Sequence, residues 1–522
     1  MQNRISCATA FLAVAVFSSW AVLTVTSTTD TYFTGAVFEF VQTQHCTSDP
    51  EEAMEVIQFN LDIFVPVAEL AKSKGADIIV FPEYSIFPEC SRDQTALFCE
   101  VVPDPKKVKA NPCAEAEEFA DRPTLRTLSC MARNNSIVVQ ANMGDMQKCE
   151  GKPGCPPEGH WQYNTNVVFD KDGSIIARYR KEHLWQEYHF DLPQKKQDPK
   201  FTVDFGTYLS YVCFDIFLER IIEEELKDKV DGVIFSTMWE NTMPLGMTVE
   251  FFQAWVMATN LTLLAACIQL PGQMALGSGL FHGKYGALAY TYDPDGLSKL
   301  VVARVPRNGH PLLEPQSSIT AVAFNGSTFD WESDGDNVQC EGSETILPLA
   351  PNQYYDDRYH VISFENFTIH KITEPSGSLH ECNNGVCCSI DYSAEDLSQT
   401  YYFAVFNGTQ ETFYPYYWGE ENCMLVRCDA AHGKECATFP LCSDDVFHHV
   451  NITANFSTPF IYPAVIHNRM RLTPRSDWDY NTELEKDGYR ANVNFHSDEG
   501  RQLVVVGIKA RTYRFDPTSS FF

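Results

Sequence analysis

The chain has 522 residues, 44% of them hydrophobic and 13% aromatic, and carries 39 Lys and Arg against 69 Asp and Glu for a formal charge of −30. That length exceeds what one core fills, so two or three domains are expected, and the apolar content excludes a disordered chain. The acidic surface argues against nucleic acid and acidic membranes as partners, because binding either needs clustered Lys and Arg.

The N-terminus, MQNRISCATAFLAVAVFSSWAVLTVTSTTD, sets Arg4 ahead of an apolar run from Ala8 to Val25 with small residues after it. This is the grammar of a signal peptide, expected over residues 1–27. Strand patterns follow at 36–44, 76–82, 136–144, 174–180, 207–213, 231–237 and 261–270, rich in β-branched and aromatic residues. Between the first two lies a helical pattern in which Met54, Ile57, Leu61, Phe64 and Leu70 recur at helical spacing, with Asp49 as N-cap, Pro50 in the first turn and Gly75 as the stop. Similar patterns at 115–134 and 248–259 complete an α/β domain with buried strands, placed at 33–310. Residues 311–522 differ, with short aromatic strands such as TYYFAVF and QLVVVGI and clustered cysteines, and predict a β-rich, disulfide-stapled second domain.

Seven Asn-x-Ser/Thr sites, at Asn134, Asn260, Asn325, Asn366, Asn407, Asn451 and Asn455, are glycosylation candidates that agree with a secreted, extracellular protein. The C-terminal ARTYRFDPTSSFF has no hydrophobic tail of the kind a GPI signal needs, so no stable membrane anchor is expected. Of 18 cysteines Cys7 falls in the leader, which leaves an odd number. The unpaired thiol belongs to the N-terminal half, where Cys130 and Cys267 lie in apolar patterns and are candidates for reduced thiols beside Cys213. Cys423, Cys428, Cys436 and Cys442 could be read as zinc ligands, but their irregular spacing and an oxidising compartment favour disulfides. Neither a metal nor a cofactor is expected.

Three residues stand at the ends of three predicted strands: Glu83 in IIVFPEYSIF, Lys181 in ARYRKEHLW and Cys213 in YVCFD. In α/β folds ligands bind beyond the carboxyl ends of strands, so chemistry is expected there. A thiol is mostly protonated at neutral pH; an ammonium favours the thiolate and a carboxylate can take the proton. In that scheme Glu83 is the base, Cys213 attacks an amide carbonyl, and Lys181 and the backbone N–H of Phe214 stabilise the oxyanion, each such donor being worth roughly 3 to 4 kcal/mol. No G-x-S-x-G elbow, H-E-x-x-H or P-loop is present. His183 and His189 keep a Cys–His pairing open.

FPEY, YRK and CFD, in this order and each closing an apolar strand, resemble the nitrilase (carbon–nitrogen hydrolase) superfamily. ARYRKEHLWQEYHFDLP, VCFDIF, TMWENTMPLGMTVEFFQAWVMATN and LGSGLF are similar to its vanin pantetheinase and biotinidase branch. The resemblance implies an αββα sandwich followed by a smaller β-rich domain of vanin type. It implies Glu83 as proton acceptor, Lys181 as proton donor and oxyanion stabiliser, Cys213 as nucleophile, and Glu187 as an acidic residue orienting the lysine. The implied partner is a small-molecule amide: pantetheine, cleaved to pantothenate and cysteamine, or alternatively biotinyl-lysine. At TMWEN the chain departs from the TAWMN of that branch, and Glu240 adds a charge near the expected pocket. From another class, a non-catalytic secreted carrier of a vitamin-like ligand would keep the fold without turnover.

Overall fold

The structure, a computed structural model, describes residues 31–516 except 219–229, 331–365 and the short stretches 243, 271–274, 294, 308, 313–315, 324–325, 414–415 and 432–433. The expected leader, Asn325 and Cys340 lie outside the described residues.

Asp49 opens the first helix by accepting the backbone N–H groups of Glu51 and Glu52 at 2.8 and 3.2 Å, and Pro50 takes the first position, where its missing N–H costs nothing. The helix Pro50–Ser73 stops before Gly75, whose φ of 87° turns the chain out. It buries Ile57, Leu61 and Phe64 of the expected stripe, while Met54 stays exposed. The helix expected from residue 115 begins only at Pro123 and runs to Asn135, because a proline favours the first turn over the interior.

The strands form two sheets packed face to face. One sheet runs Ile175–Arg180, His160–Phe169, Val138–Lys148, Ile78–Val80, Tyr32–Val41, Ser298–Pro306, Ser317–Val322, Thr328–Asp330. The other runs Lys200–Val203, Gly206–Val212, Gly232–Thr237, Thr262–Gln269, Ser278–His282, Gly286–Thr291. They meet at one corner, where Phe40 and Val41 pair with Ile268 and Gln269. Between them Phe33, Val37, Ile78 and Val138 pack against Tyr208, Ile234, Leu264 and Leu280. Gly35 sets the spacing, since a Cβ there would come within 2.6 Å of Leu280 Cδ2 and 2.9 Å of Leu264 Cδ2. The first sheet runs past residue 310, because Ser298–Ala303 pairs antiparallel with Ser317–Val322.

Helices Pro50–Ser73 and Pro123–Asn135 cover the outer face of the first sheet, and helix Thr248–Thr259 covers the second through Phe252, Val256 and its neighbours. The layers are therefore αββα. The third helix is buried almost all round, because Phe251 on its far side meets Tyr462 of the C-terminal region at 5.5 Å. That region is a two-sheet β-sandwich. Its inner sheet runs Thr368–Lys371, Tyr401–Phe413, Tyr416–Arg427, Leu503–Arg511, Ile461–His467, Arg471–Leu472, and its outer sheet packs on the first through Ile390, Ile452, Val493 and Phe495. Arg471 to Asp293 (2.9 Å) and Lys509 to the Leu245 carbonyl (3.0 Å) tie the two halves together.

Disulfides join Cys46 to Cys90, Cys113 to Cys130, Cys149 to Cys155, Cys382 to Cys387, Cys388 to Cys423 and Cys428 to Cys436, and Cys442 is also disulfide-bonded. Cys130 is thus not a reduced thiol: its helix lies beside the loop of Cys113, whose Cα is 4.9 Å away. The four cysteines that could have held zinc are all oxidised. Free thiols among the described residues are Cys99, Cys213 and Cys267. Asn134, Asn260, Asn366 and Asn455 are exposed, and Asn407 and Asn451 are half-buried. No helix among the described residues is long and apolar enough to cross a membrane.

Candidate active site

Glu83, Lys181 and Cys213 follow strands Ile78–Val80, Ile175–Arg180 and Gly206–Val212, which end on the same edge of the sandwich. Polar ties between the sheets fix that edge. Ser236 Oγ donates to the Phe81 carbonyl at 2.8 Å, and Asn166 Nδ2 donates to the Tyr211 carbonyl at 3.0 Å and Ser210 Oγ at 3.2 Å. Cys213 begins a single 3₁₀ turn, Cys213–Phe217, with φ of 44°. Tyr84 and Gln186 also sit at φ of 53°, so three of the eight non-glycine left-handed residues described flank the site. Such backbone costs about 1 to 3 kcal/mol per residue and persists only where its surroundings impose it, most often at functional sites.

Lys181 Nζ lies between two buried carboxylates, 2.8 Å from Glu83 Oε1 and 2.5 Å from Glu187 Oε2. Asn164 Nδ2 donates to both as well, at 2.7 Å to Glu83 and 2.6 Å to Glu187. The second oxygen of Glu83 accepts the Met238 backbone N–H at 2.8 Å. Glu187 further accepts the Tyr84 hydroxyl at 2.8 Å and the Trp185 backbone N–H at 3.0 Å. Every carboxylate oxygen in the cluster is therefore met by a donor, the condition for keeping charge in a protein interior.

The two carboxyls are pushed apart in acidity. Burial raises both, but Lys181 and the fuller donor set hold Glu187 below the ordinary carboxylate range. At Glu83 burial and the neighbouring Glu187 charge outweigh Lys181, so this carboxyl sits above its ordinary value. Burial works against the Lys181 ammonium, yet Glu187 and Glu83 hold it well above its usual value. Glu187 and Lys181 thus form a fixed ion pair, and Glu83 is a stronger base than a free carboxylate. Burial and the Glu83 charge push the Cys213 thiol well up, and Lys181 and Thr237 offset this only in part. The nearby ammonium, expected to favour the thiolate, does not bring this thiol below its ordinary value, so removal of its proton falls to a base.

Cys213 lines a cavity whose walls come from both halves of the chain. Aromatic rings of Trp185, Phe214, Phe217 and Trp239 make the near wall. Gln410, Trp418, Glu420 and Lys509 of the C-terminal sandwich close the far side, with Trp418 packed on Phe217 at 4.8 Å. Glu240 is on the same wall. The two histidines that left another base open are engaged elsewhere: His183 Nδ1 is 2.9 Å from Asp215 Oδ1, and His189 Nε2 is 2.9 Å from the Tyr84 hydroxyl.

Sequence reasoning missed Asn164, Tyr84 and Trp418. Asn164 and Asn166 stand two apart on strand His160–Phe169 and so share a face, a spacing that could have flagged a buried polar stripe. Nothing in the chain near Trp418 signals contact with residue 217.

Residues 41–253 match the family model for carbon–nitrogen hydrolases, and residues 358–516 match that of the vanin C-terminal domain. The chain is 30% identical over 515 residues to the pantetheine hydrolase VNN2 of Homo sapiens, covering 97% of this chain and 92% of that protein. It is 32% identical over 436 residues to the biotinidase of Homo sapiens, covering 81% and 79%. It is 28% identical over 535 residues to the pantetheinase of Mus musculus, covering 100% and 95%. The fold and the matched hydrolase model define an enzyme acting on carbon–nitrogen bonds. Within that class, the chain belongs to the family of the vanin pantetheinases and biotinidases.

Proposed function

We propose that this protein is a secreted amidohydrolase that cleaves a secondary amide through an acyl thioester on Cys213, with pantetheine as substrate and pantothenate and cysteamine as products. The observation that carries the reading is the Glu83–Lys181–Glu187 cluster, fully hydrogen-bonded and held against a buried thiol that faces an apolar cavity. As Cys213 Sγ bonds to the amide carbon, its proton passes to Glu83, whose raised basicity suits it to accept from a thiol. Negative charge moves to the carbonyl oxygen, where the Lys181 ammonium and the Phe214 backbone N–H stabilise it. Glu83 then gives its proton to the departing amine as the C–N bond breaks. Water, deprotonated by Glu83, attacks the thioester and returns the thiol. Glu187 keeps Lys181 protonated and aimed.

The names of the relatives support pantetheine, and those called biotinidase support biotinyl-lysine as a second substrate reading. The complete donor shell around Glu83 and Glu187 weighs against a carrier that has lost turnover, since binding alone needs no such shell. We further assign the αββα layers, which extend past residue 310 to strand Thr328–Asp330, to hydrolysis, and the β-sandwich after them to a base that completes the cavity wall. The exposed sequons at Asn134, Asn260, Asn366 and Asn455 fit extracellular glycosylation.

The test is release of cysteamine from pantetheine and of lysine from biotinyl-lysine by wild type and Cys213→Ala. Turnover of at least one amide that is abolished in the variant, with an acyl adduct on Cys213 after rapid quench, is expected. Full activity in Cys213→Ala, or an adduct on another residue, overturns the scheme.

A further inference from the structure

Among the described residues, the cavity wall holds one carboxylate without a cation. Glu83 and Glu187 share Lys181, Asp145 is met by Arg180, and Glu420 is met by Lys509 at 2.7 Å. Glu240, three residues beyond strand Gly232–Thr237, differs. Its backbone is held by a bridge to Ala275, and its Oε2 accepts one long hydrogen bond, 3.4 Å, from the Trp185 indole. Among the described residues no Lys, Arg or His forms an ion pair with it. Lys509, which lines the same cavity, is committed to Glu420 and to the Leu245 carbonyl. A half-buried carboxylate set among Trp185, Phe214 and Trp239 and lacking a cationic partner among the described residues is poorly solvated, and a donor brought by a ligand relieves that cost.

We propose that Glu240 is a specificity-determining residue: it receives a hydrogen-bond donor, and most strongly a cationic group, on the part of the amide substrate that lies away from the scissile bond. The proposal rests on the amidohydrolase reading of Cys213. It sets a chemical preference that an all-aromatic wall would lack, because apolar pockets discriminate weakly between isosteres whereas sites built around a polar partner discriminate strongly.

Burial pushes the Glu240 carboxyl up to about 7, the Trp185 indole pulling it down and the Glu89 charge pushing it up. The other charged groups about the cavity are Glu420 and Lys509 on the far wall and Glu83, Lys181 and Glu187 behind Cys213. Glu240 therefore gains its charge as pH rises through about 7, and the preference for a cationic substrate rises with it.

The experiment uses two amides of one acyl scaffold, one ending in an ammonium and one in a methyl group, with kcat/KM measured at pH 6 and pH 8.5. In wild type the ratio of cationic to neutral substrate is expected to rise about tenfold between these values. In Glu240→Gln the ratio at the higher pH falls about tenfold and its pH dependence vanishes, and Glu240→Met behaves likewise. Variants that slow both substrates equally, or a pH-dependent ratio that persists without Glu240, overturn the inference alone. Wild-type protein that hydrolyses neither amide overturns the amidohydrolase reading and this inference with it.

Discussion

Glu187→Gln removes the like-charge coupling inside the cluster. Glu83 and Glu187 each present an oxygen to Lys181 Nζ, at 2.8 and 2.5 Å, so these oxygens are no more than about 5 Å apart. At an effective dielectric constant of about 20, two unit charges at that distance repel by roughly 3 kcal/mol. The amide keeps the side chain's length, but its one oxygen serves either Tyr84 and Asn164, which meet Oε1, or Lys181 and Trp185, which meet Oε2, so one set of hydrogen bonds goes with the charge. Two consequences have the same sign. Without the Glu187 charge Glu83 ionises more readily, and Lys181, left with one counter-charge, favours that ionisation further. The acid limb of kcat/KM, where the base is lost by protonation, therefore moves to lower pH. The plateau falls on the order of a hundredfold, because a weaker base removes the thiol proton less well and Lys181 is less firmly aimed. The assay is the pH profile of amine release from the best amide. An acid limb that moves to higher pH, or an unchanged plateau, refutes the reasoning.

Trp418→Ala opens the far wall without touching Glu83, Lys181 or Cys213, so KM is expected to rise about tenfold while kcat changes little. Steady-state kinetics decide it, and a fall confined to kcat would place Trp418 outside substrate binding. Glu250 is buried, and burial pushes its carboxyl up to about 8 against the opposing pull of Lys509. Its folded pKa lies above its unfolded one, so the stability it adds is fully present below about 4.5 and is lost as pH rises through about 8. That loss has a slope of about 1.4 kcal/mol per pH unit at most. Urea unfolding across this window should show Glu250→Gln gaining on wild type as pH rises; parallel curves would contradict it.

The strand-end trio was legible because each member closes a short apolar run, and the runs ADIIVFP, SIIARYR and TYLSYVC all became strands, apart from their end residues. Cys213 itself left the strand, its positive φ being imposed by packing that no local pattern encodes. Strand His160–Phe169 was hidden because Gln162, Asn164 and Asn166 break an apolar alternation. They are polar because that face points inward at the site, where tertiary need overrides the usual pattern. Strands such as Ser298–Pro306 were not expected at all. The Cys113–Cys130 bond could not be read from spacing, which leaves connectivity open. The far wall was illegible for a different reason: Trp418 and Lys509 reach the cavity only through the docking of a second sandwich, a contact between residues hundreds apart in sequence.

That docking imposes an order of events on biosynthesis. The inner sheet of the sandwich has strand Leu503–Arg511 in its middle, hydrogen-bonded on both sides, and this strand brings Lys509 to the cavity. It leaves the ribosome roughly 290 residues after Cys213, or about 15 to 60 s later at ordinary elongation rates. Until the sandwich is complete enough to dock, Phe217 and Phe251 lack Trp418 and Tyr462, so the nascent hydrolase half carries an uncovered aromatic face. A chain cut short of residue 503 loses the middle strand of the inner sheet and the lysine it carries, so the cavity is walled only once nearly the whole chain has been made.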